Sequence, residues 1–229
     1  WYFGIPSSSS HAIIGGIIGA GAAKAGFGIL QVAGIMKIVM ALILSPLIGM
    51  ALGFTIMTIF YWIFGNKPPG KVNRGFHRLQ ILSAALLSFN HGSNDAQKSM
   101  GIITLALVAA GMQSTLDVPL WVKMSCAFMM AFGTAMGGWR IIRTLGAKIF
   151  KLEPIHGFAE NLSSSLVIYT ATAFPGLHLP VSTTHIVSGS IMGVGAAKRF
   201  SAVRWGVAQQ MLVAWILTIP AAATVAALS

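Results

Sequence analysis

Pro6 to Lys24 reads PSSSSHAIIGGIIGAGAAK, and Pro180 to Lys198 reads PVSTTHIVSGSIMGVGAAK. The copies lie 174 residues apart without a gap and share 10 of 19 positions. The register carries on to Pro46 and Pro220, each inside an apolar stretch. Hydroxyls, a His and spaced glycines, repeated at long range within apolar sequence, point to a membrane transporter built from two related halves.

Composition agrees with a membrane setting. Hydrophobic residues make up 55% of the chain and charged residues 8%, with a mean hydropathy of +0.79. A soluble domain carries about 25% charged residues. The ~10-residue alternating segments of a membrane β-barrel are not visible, so the fold class is an all-α membrane protein. The net charge of +11 does not indicate nucleic-acid binding, because the basic residues sit in short segments between apolar spans. Cys126 is the only cysteine, so no intrachain disulfide forms.

The organisation follows from span lengths. The arm 12–23 is too short to cross a hydrocarbon core of ~30 Å at ~1.5 Å per residue. Residues 37–64 are long enough to span, with Pro46 inside. Residues 66–78 form a basic, Pro- and Gly-bearing linker. Residues 79–112 are apolar at both ends and polar at Asn90 to Asp95. As one helix they would run to ~50 Å, which predicts a broken helix with its polar break at membrane depth. Residues 120–138 span, and the basic stretch 140–151 is expected along the surface. A hairpin over 155–197 breaks at Pro175 to His178 and ends in the second short arm, and residues 203–228 span last. Residues 1–65 are then the remainder of a first repeat and 79–229 a second.

Three crossings separate the two hairpin tips, so the tips enter from opposite faces. That is an inverted-topology repeat with re-entrant hairpins. The second tip's face collects the basic segments 66–78, 140–151 and 198–204, and is expected to be cytoplasmic.

Both tips place hydroxyls at a helix start: Ser7 to Ser10 before His11, and Ser182 to Thr184 before His185. Free N–H groups and the helix dipole make such a place an anion site. Ordinary N-capping is the alternative for either copy alone; two copies on short arms favour the anion. Asp95 is one of four acids and lies at membrane depth, where a carboxylate is functional by default. Oxygens from Asn90, Asn94 and Asp95 suit Na⁺ or a proton, and an Asp95–Lys98 ion pair is compatible with either. Glu160 is either a surface acid beside Lys151 or a coupling residue, which adds it to Asp95 and Asn94 as a candidate Na⁺ ligand. His91 either donates to an anion or caps the break. His11 and His185 are expected to hydrogen-bond across their hairpins, and the glycines after them to permit close helix packing. Ser10–His11 and Thr184–His185 raise a distant alternative, an intramembrane hydrolase. Adjacent helical residues do not face each other, and no GxSxG setting appears, so no enzyme is expected.

SFNHGSNDAQKSMG (88–101) and PVSTTH (180–185) resemble the two signature motifs of the inorganic phosphate transporter (PiT) family, in the correct order. GSNDAQKSMG is similar to the bacterial branch. The resemblance implies secondary active symport of inorganic phosphate with Na⁺ or H⁺, by alternating access, without a resident cofactor. It implies a bacterial inner-membrane location and a homodimer. It implies phosphate binding at Ser8, Ser9, Ser10, Asn94, Ser182, Thr183 and Thr184, a cation role for Asn94 and Asp95, and an acid matching Glu160. The first tip departs from the pattern at Ser7, Ser9 and Ser10, where hydroxyl chemistry survives. Sulfate or a metal–phosphate complex is the alternative cargo. By the 174 offset, the partner of Asp95 would lie about 80 residues before Trp1. The chain is therefore expected to be N-terminally truncated and not to transport alone.

Overall fold

The computed structural model describes residues 4, 6–173 and 181–229. Pro180 and the break read at Pro175 to His178 lie outside the described residues. Among those described, every regular element is helical: α1 (Ser9–Ala25), α2 (Val32–Phe64), α3 (Pro69–Ala109), α4 (Leu120–Met136), α5 (Trp139–Arg143), α6 (Pro154–Ala173), α7 (Thr183–Lys198) and α8 (Trp205–Leu228).

α2 and α8 are each long and apolar enough to cross a membrane. Much of their apolar surface faces outward, including Ile43, Leu47, Leu212 and Ile216. Exposure on that scale suits lipid rather than water. α4 and the helix after it are long and apolar enough to cross only when taken together, and they bend by 64° at Gly137–Gly138. Gly138 carries a φ of 90° there, which a side chain would resist.

One expectation is corrected and one refined. α3 is unbroken over 41 residues, roughly 60 Å. The extra length is accommodated at its start: Pro69 occupies the first turn, where its missing N–H costs nothing. The basic linker is thus largely the first turns of this helix, with Lys71, Arg74 and Arg78 exposed. No break is needed at Asn90 to Asp95, because polar side chains there find partners on their own helix, on α6 and on the second tip. The stretch 140–151 does keep Arg140, Arg143, Lys148 and Lys151 exposed, as expected of a surface segment, but it is helical rather than a loop. It forms α5 and a π-helical turn, Thr144–Ile149. Its apolar residues interleave with its basic ones, which buries Ile149 and Phe150.

The two repeats interlock. α1 packs on α8, and α7 packs on α2, so each short helix lies against the long helix of the other copy. The glycines set this approach. A Cβ at Gly189 or Gly193 would meet the backbone of Pro46 or Met50 on α2. A Cβ at Gly15 or Gly19 would meet Ile219 or Ala223 on α8. These are the same contacts, within one residue, seen through the 174 offset.

Several segments meet at one end of the bundle. Asn73 donates to Glu153 at 3.0 Å, Lys198 lies 3.7 Å from the same carboxylate, and Arg204 N donates to Ile149 O at 2.9 Å.

Candidate functional site

Ser8 and Ser182 are the N-caps of α1 and α7. Their side chains accept from His11 N at 3.3 Å and His185 N at 3.4 Å. Each hydroxyl thus satisfies one of the unpaired amides of its helix start. Ser8 Oγ also donates to Ser182 Oγ at 2.8 Å. Capping and convergence are both present: the two helix N-termini face one another. Their dipoles make the space between them favourable for negative charge.

The histidines repeat this relation. His11 and His185 stand edge to face with ring centroids 4.5 Å apart. His185 Nδ1 lies 3.4 Å from Leu42 O. Pro46 has no N–H, so Leu42 O lacks its helical donor. Imidazole and the Ser45 hydroxyl, 3.3 Å away, serve in its place. His11 Nδ1 bonds Trp215 O at 3.0 Å, in the turn before Pro220. A carbonyl only accepts, so each Nδ1 carries the proton. The expected hydrogen bonds across the hairpins are not what these rings make: their partners belong to α8 and α2.

Asp95 lies beside the second tip. Lys98 Nζ is 2.7 Å from Asp95 Oδ1 and 3.1 Å from Val181 O. Thr183 Oγ1 donates to Asp95 Oδ2 at 3.4 Å, and His91 Nε2 lies 3.3 Å from that oxygen. Asn94 donates to Val181 O at 3.4 Å and to Asp95 Oδ1 at 3.3 Å. Ser10 reaches Val181 O from the first tip at 3.4 Å. The Val181 carbonyl therefore joins both tips to α3. Val181 is not among the residues read as functional, because only its backbone takes part.

Other predicted residues are placed elsewhere. Ser9 is exposed and Thr184 half-buried, whereas Ser8, Ser10, Asn94, Ser182 and Thr183 are buried. Asn90 turns to α6, donating to Ser165 O at 3.4 Å. Glu160 is 5% exposed, which rejects the reading of a surface acid beside Lys151. It accepts from Ser164 Oγ at 2.8 Å. With the Asn161 amide turned to satisfy its neighbours, its nitrogen donates to the other Glu160 oxygen at 2.8 Å and its oxygen accepts from Ser83 at 3.0 Å. No contact among the described residues joins Glu160 to Asp95 or Asn94, and none gathers three or more His, Cys, Asp or Glu as a metal site. The carboxylates thus form two centres, one at the tips and one between α3 and α6.

Trp215 was missed by sequence reasoning. Its indole donates to Pro6 O at 3.0 Å, and its ring lies over His185 with centroids 3.8 Å apart. A signal existed: a Trp in mid-span, away from the membrane interface where Trp collects.

The chain matches the model of the phosphate transporter family over residues 1–70 and 65–226. A Bacillus subtilis protein named "Probable low-affinity inorganic phosphate transporter" is 50% identical over 230 residues, covering 100% of this chain and 68% of that protein. A Rhizobium meliloti protein of the same name is 48% identical over 229 residues, with the same coverage. A solved structure, "The sodium-dependent phosphate transporter", aligns with a TM-score of 0.83 and 22% identity, over 99% of this chain and 73% of that one. At that identity the likeness concerns the fold. With family model and relatives in agreement, the chain is a member of the phosphate transporter family and an integral membrane protein.

Proposed function

We propose that this chain carries the anion clamp of a secondary active transporter that moves inorganic phosphate by alternating access, coupled to Na⁺ or H⁺. The observation that carries the reading is the meeting of the two repeat-related caps, Ser8 and Ser182, at 2.8 Å. The anion takes the place of this direct bond. It accepts from Ser8, Ser10, Ser182, Thr183 and Asn94 and from the N–H groups that open α1 and α7. Charge-assisted bonds of this kind are about twice as strong as neutral ones. The two halves then rock about the tips, with the hairpins as re-entrant elements of an inverted repeat. Thr184 and Ser9 stand at the rim. Coupling falls to the buried carboxylates, Asp95 at the clamp and Glu160 behind it with Asn90.

The relatives' names support phosphate as cargo. The basic end is read as cytoplasmic, the membrane as a bacterial inner membrane and the assembly as a homodimer. Phosphate titrated into the purified chain is expected to raise its thermal stability saturably, and Ser182→Ala to weaken this about tenfold. Sulfate and arsenate run in parallel define the oxyanion. Equal stabilisation of wild type and Ser182→Ala would remove the tips from the site.

A further inference from the structure

The sequence leaves Na⁺ and H⁺ open at Asp95, and the surroundings of Asp95 decide between a free and a built-in cation. We propose that the Lys98 ammonium is a tethered cation filling the place beside Asp95 that Na⁺ would need, so that Asp95 takes no Na⁺. The inference deepens the phosphate reading and rests on it only for the meaning of coupling, not for the occupancy itself.

Three observations carry it. First, Lys98 Nζ sits between two oxygens from different elements, Asp95 Oδ1 at 2.7 Å and Val181 O at 3.1 Å. A hard cation is held in this way, by carboxylate and carbonyl oxygens together. Second, besides His91 Nε2 at 3.3 Å from Asp95 Oδ2, the neighbours of these oxygens are hydrogen-bond donors. Asn94 turns its amide nitrogen to both of those oxygens, and Thr183 donates to Asp95 Oδ2. A Na⁺ ion there would find its carboxylate and carbonyl already taken by N–H and O–H groups. Third, the pair is enclosed, with side-chain exposures of 14% for Lys98 and 15% for Asp95. Adding Na⁺ would set two positive charges against one carboxylate in a site with little water to screen them, which lowers affinity by orders of magnitude.

The unbroken helix makes the tether effective. Asp95 and Lys98 are three residues apart on one face of α3, close enough to meet without distortion. A helix broken between Asn90 and Asp95 would not guarantee that register. Lys98 is thus the cation of this site in every state in which α3 stays helical. Coupling through Na⁺, where it operates, must use other groups.

The test uses the purified chain in detergent, with NaCl replaced stepwise by choline chloride at constant ionic strength. Wild type is expected to melt at the same temperature in both salts. Lys98→Asn removes the ammonium and supplies an amide oxygen. It is expected to gain a saturable, Na⁺-specific stabilisation, with Na⁺ affinity about tenfold or more above wild type. The Asp95→Asn/Lys98→Asn double variant is expected to lose it. A Na⁺-specific stabilisation of wild type that Asp95→Asn abolishes would overturn the proposal. So would a folded Lys98→Asn indifferent to Na⁺; Lys98→Gln replaces it if the first variant does not fold. Phosphate titration of the same samples keeps the questions apart. If phosphate fails to stabilise wild type, the phosphate reading fails while the Na⁺ comparison still stands.

Discussion

Ser8 Oγ donates to Ser182 Oγ at 2.8 Å across 174 residues of chain, the same number that separates the two copies of the repeat. The edge-to-face pair His11 and His185 repeats this meeting of sequence-equivalent residues three positions further along each helix. A site between such residues draws on both copies of the repeat. Ser8→Ala and Ser182→Ala should then behave alike. Each loses a cap, about 1 kcal/mol, and each loses one hydroxyl toward the anion. Phosphate titrations of the two single variants should give affinities within about threefold of each other. A tenfold disparity would mean that one tip dominates.

The glycine notches predict a sharp contrast between neighbouring positions. A Cβ at Gly193 would press on the α2 backbone at Met50 and Phe54, and neither can move aside as a flexible side chain would. At Gly16 nothing lies within 4 Å. Gly193→Ala is expected to cost about 1–3 kcal/mol, a loss of several degrees in melting temperature. Gly16→Ala should be neutral or slightly stabilising, since Ala favours helix. Equal melting temperatures for the two variants would contradict the interlocked packing.

Much of this arrangement is legible in the sequence, and the exceptions have physical causes. The repeat locates both tips because hydroxyls, His and glycines persisted at one spacing. Spans are legible from apolar length. The continuity of α3 was not, since helix length alone cannot say how far the ends project beyond the hydrocarbon. Nor can it show that His91, Asp95 and Lys98 satisfy one another along one face. Glu160 was ambiguous because burial depends on α3 covering α6, a contact between segments some 80 residues apart. The division of the candidate hydroxyls into buried Ser8 and Ser10 and exposed Ser9 depends on where the extended N-cap gives way to α1 at Ser9, which a run of four serines does not reveal. Val181 is invisible to any reading of side chains, because it acts through its carbonyl.

Glu153 should make stability sensitive to acid. It lies between the π-helical turn and α6, where the Asn73 amide, and more weakly Lys198, hold its carboxyl below the ordinary value of 4.5. A carboxyl whose folded-state pKa is depressed stabilises the fold above its unfolded pKa. That contribution is lost as pH falls through the folded value. Melting temperature should therefore drop between about pH 5 and about pH 3, and Glu153→Gln should flatten part of the drop. The side chain is 44% exposed, so the difference is expected to be small, about 1–3 °C. A steeper acid profile in Glu153→Gln than in wild type would refute the sign.

Pro46 leaves Leu42 O without its helical N–H, and His185 Nδ1 comes to it from α7 at 3.4 Å. His185→Ala should leave that carbonyl with only the Ser45 hydroxyl and should uncover the face of Trp215, a cost of about 1–3 kcal/mol. Pro46→Ala restores an amide that can close the helix onto Leu42 O. In that background the carbonyl no longer depends on His185, so the same substitution should cost less. The four proteins form a double-mutant cycle, read by unfolding in mixed micelles. A coupling of about 0.5–1.5 kcal/mol is expected in the direction of compensation. Strict additivity would mean that His185 contributes only through its stacking on Trp215 and that the Leu42 carbonyl is satisfied without it.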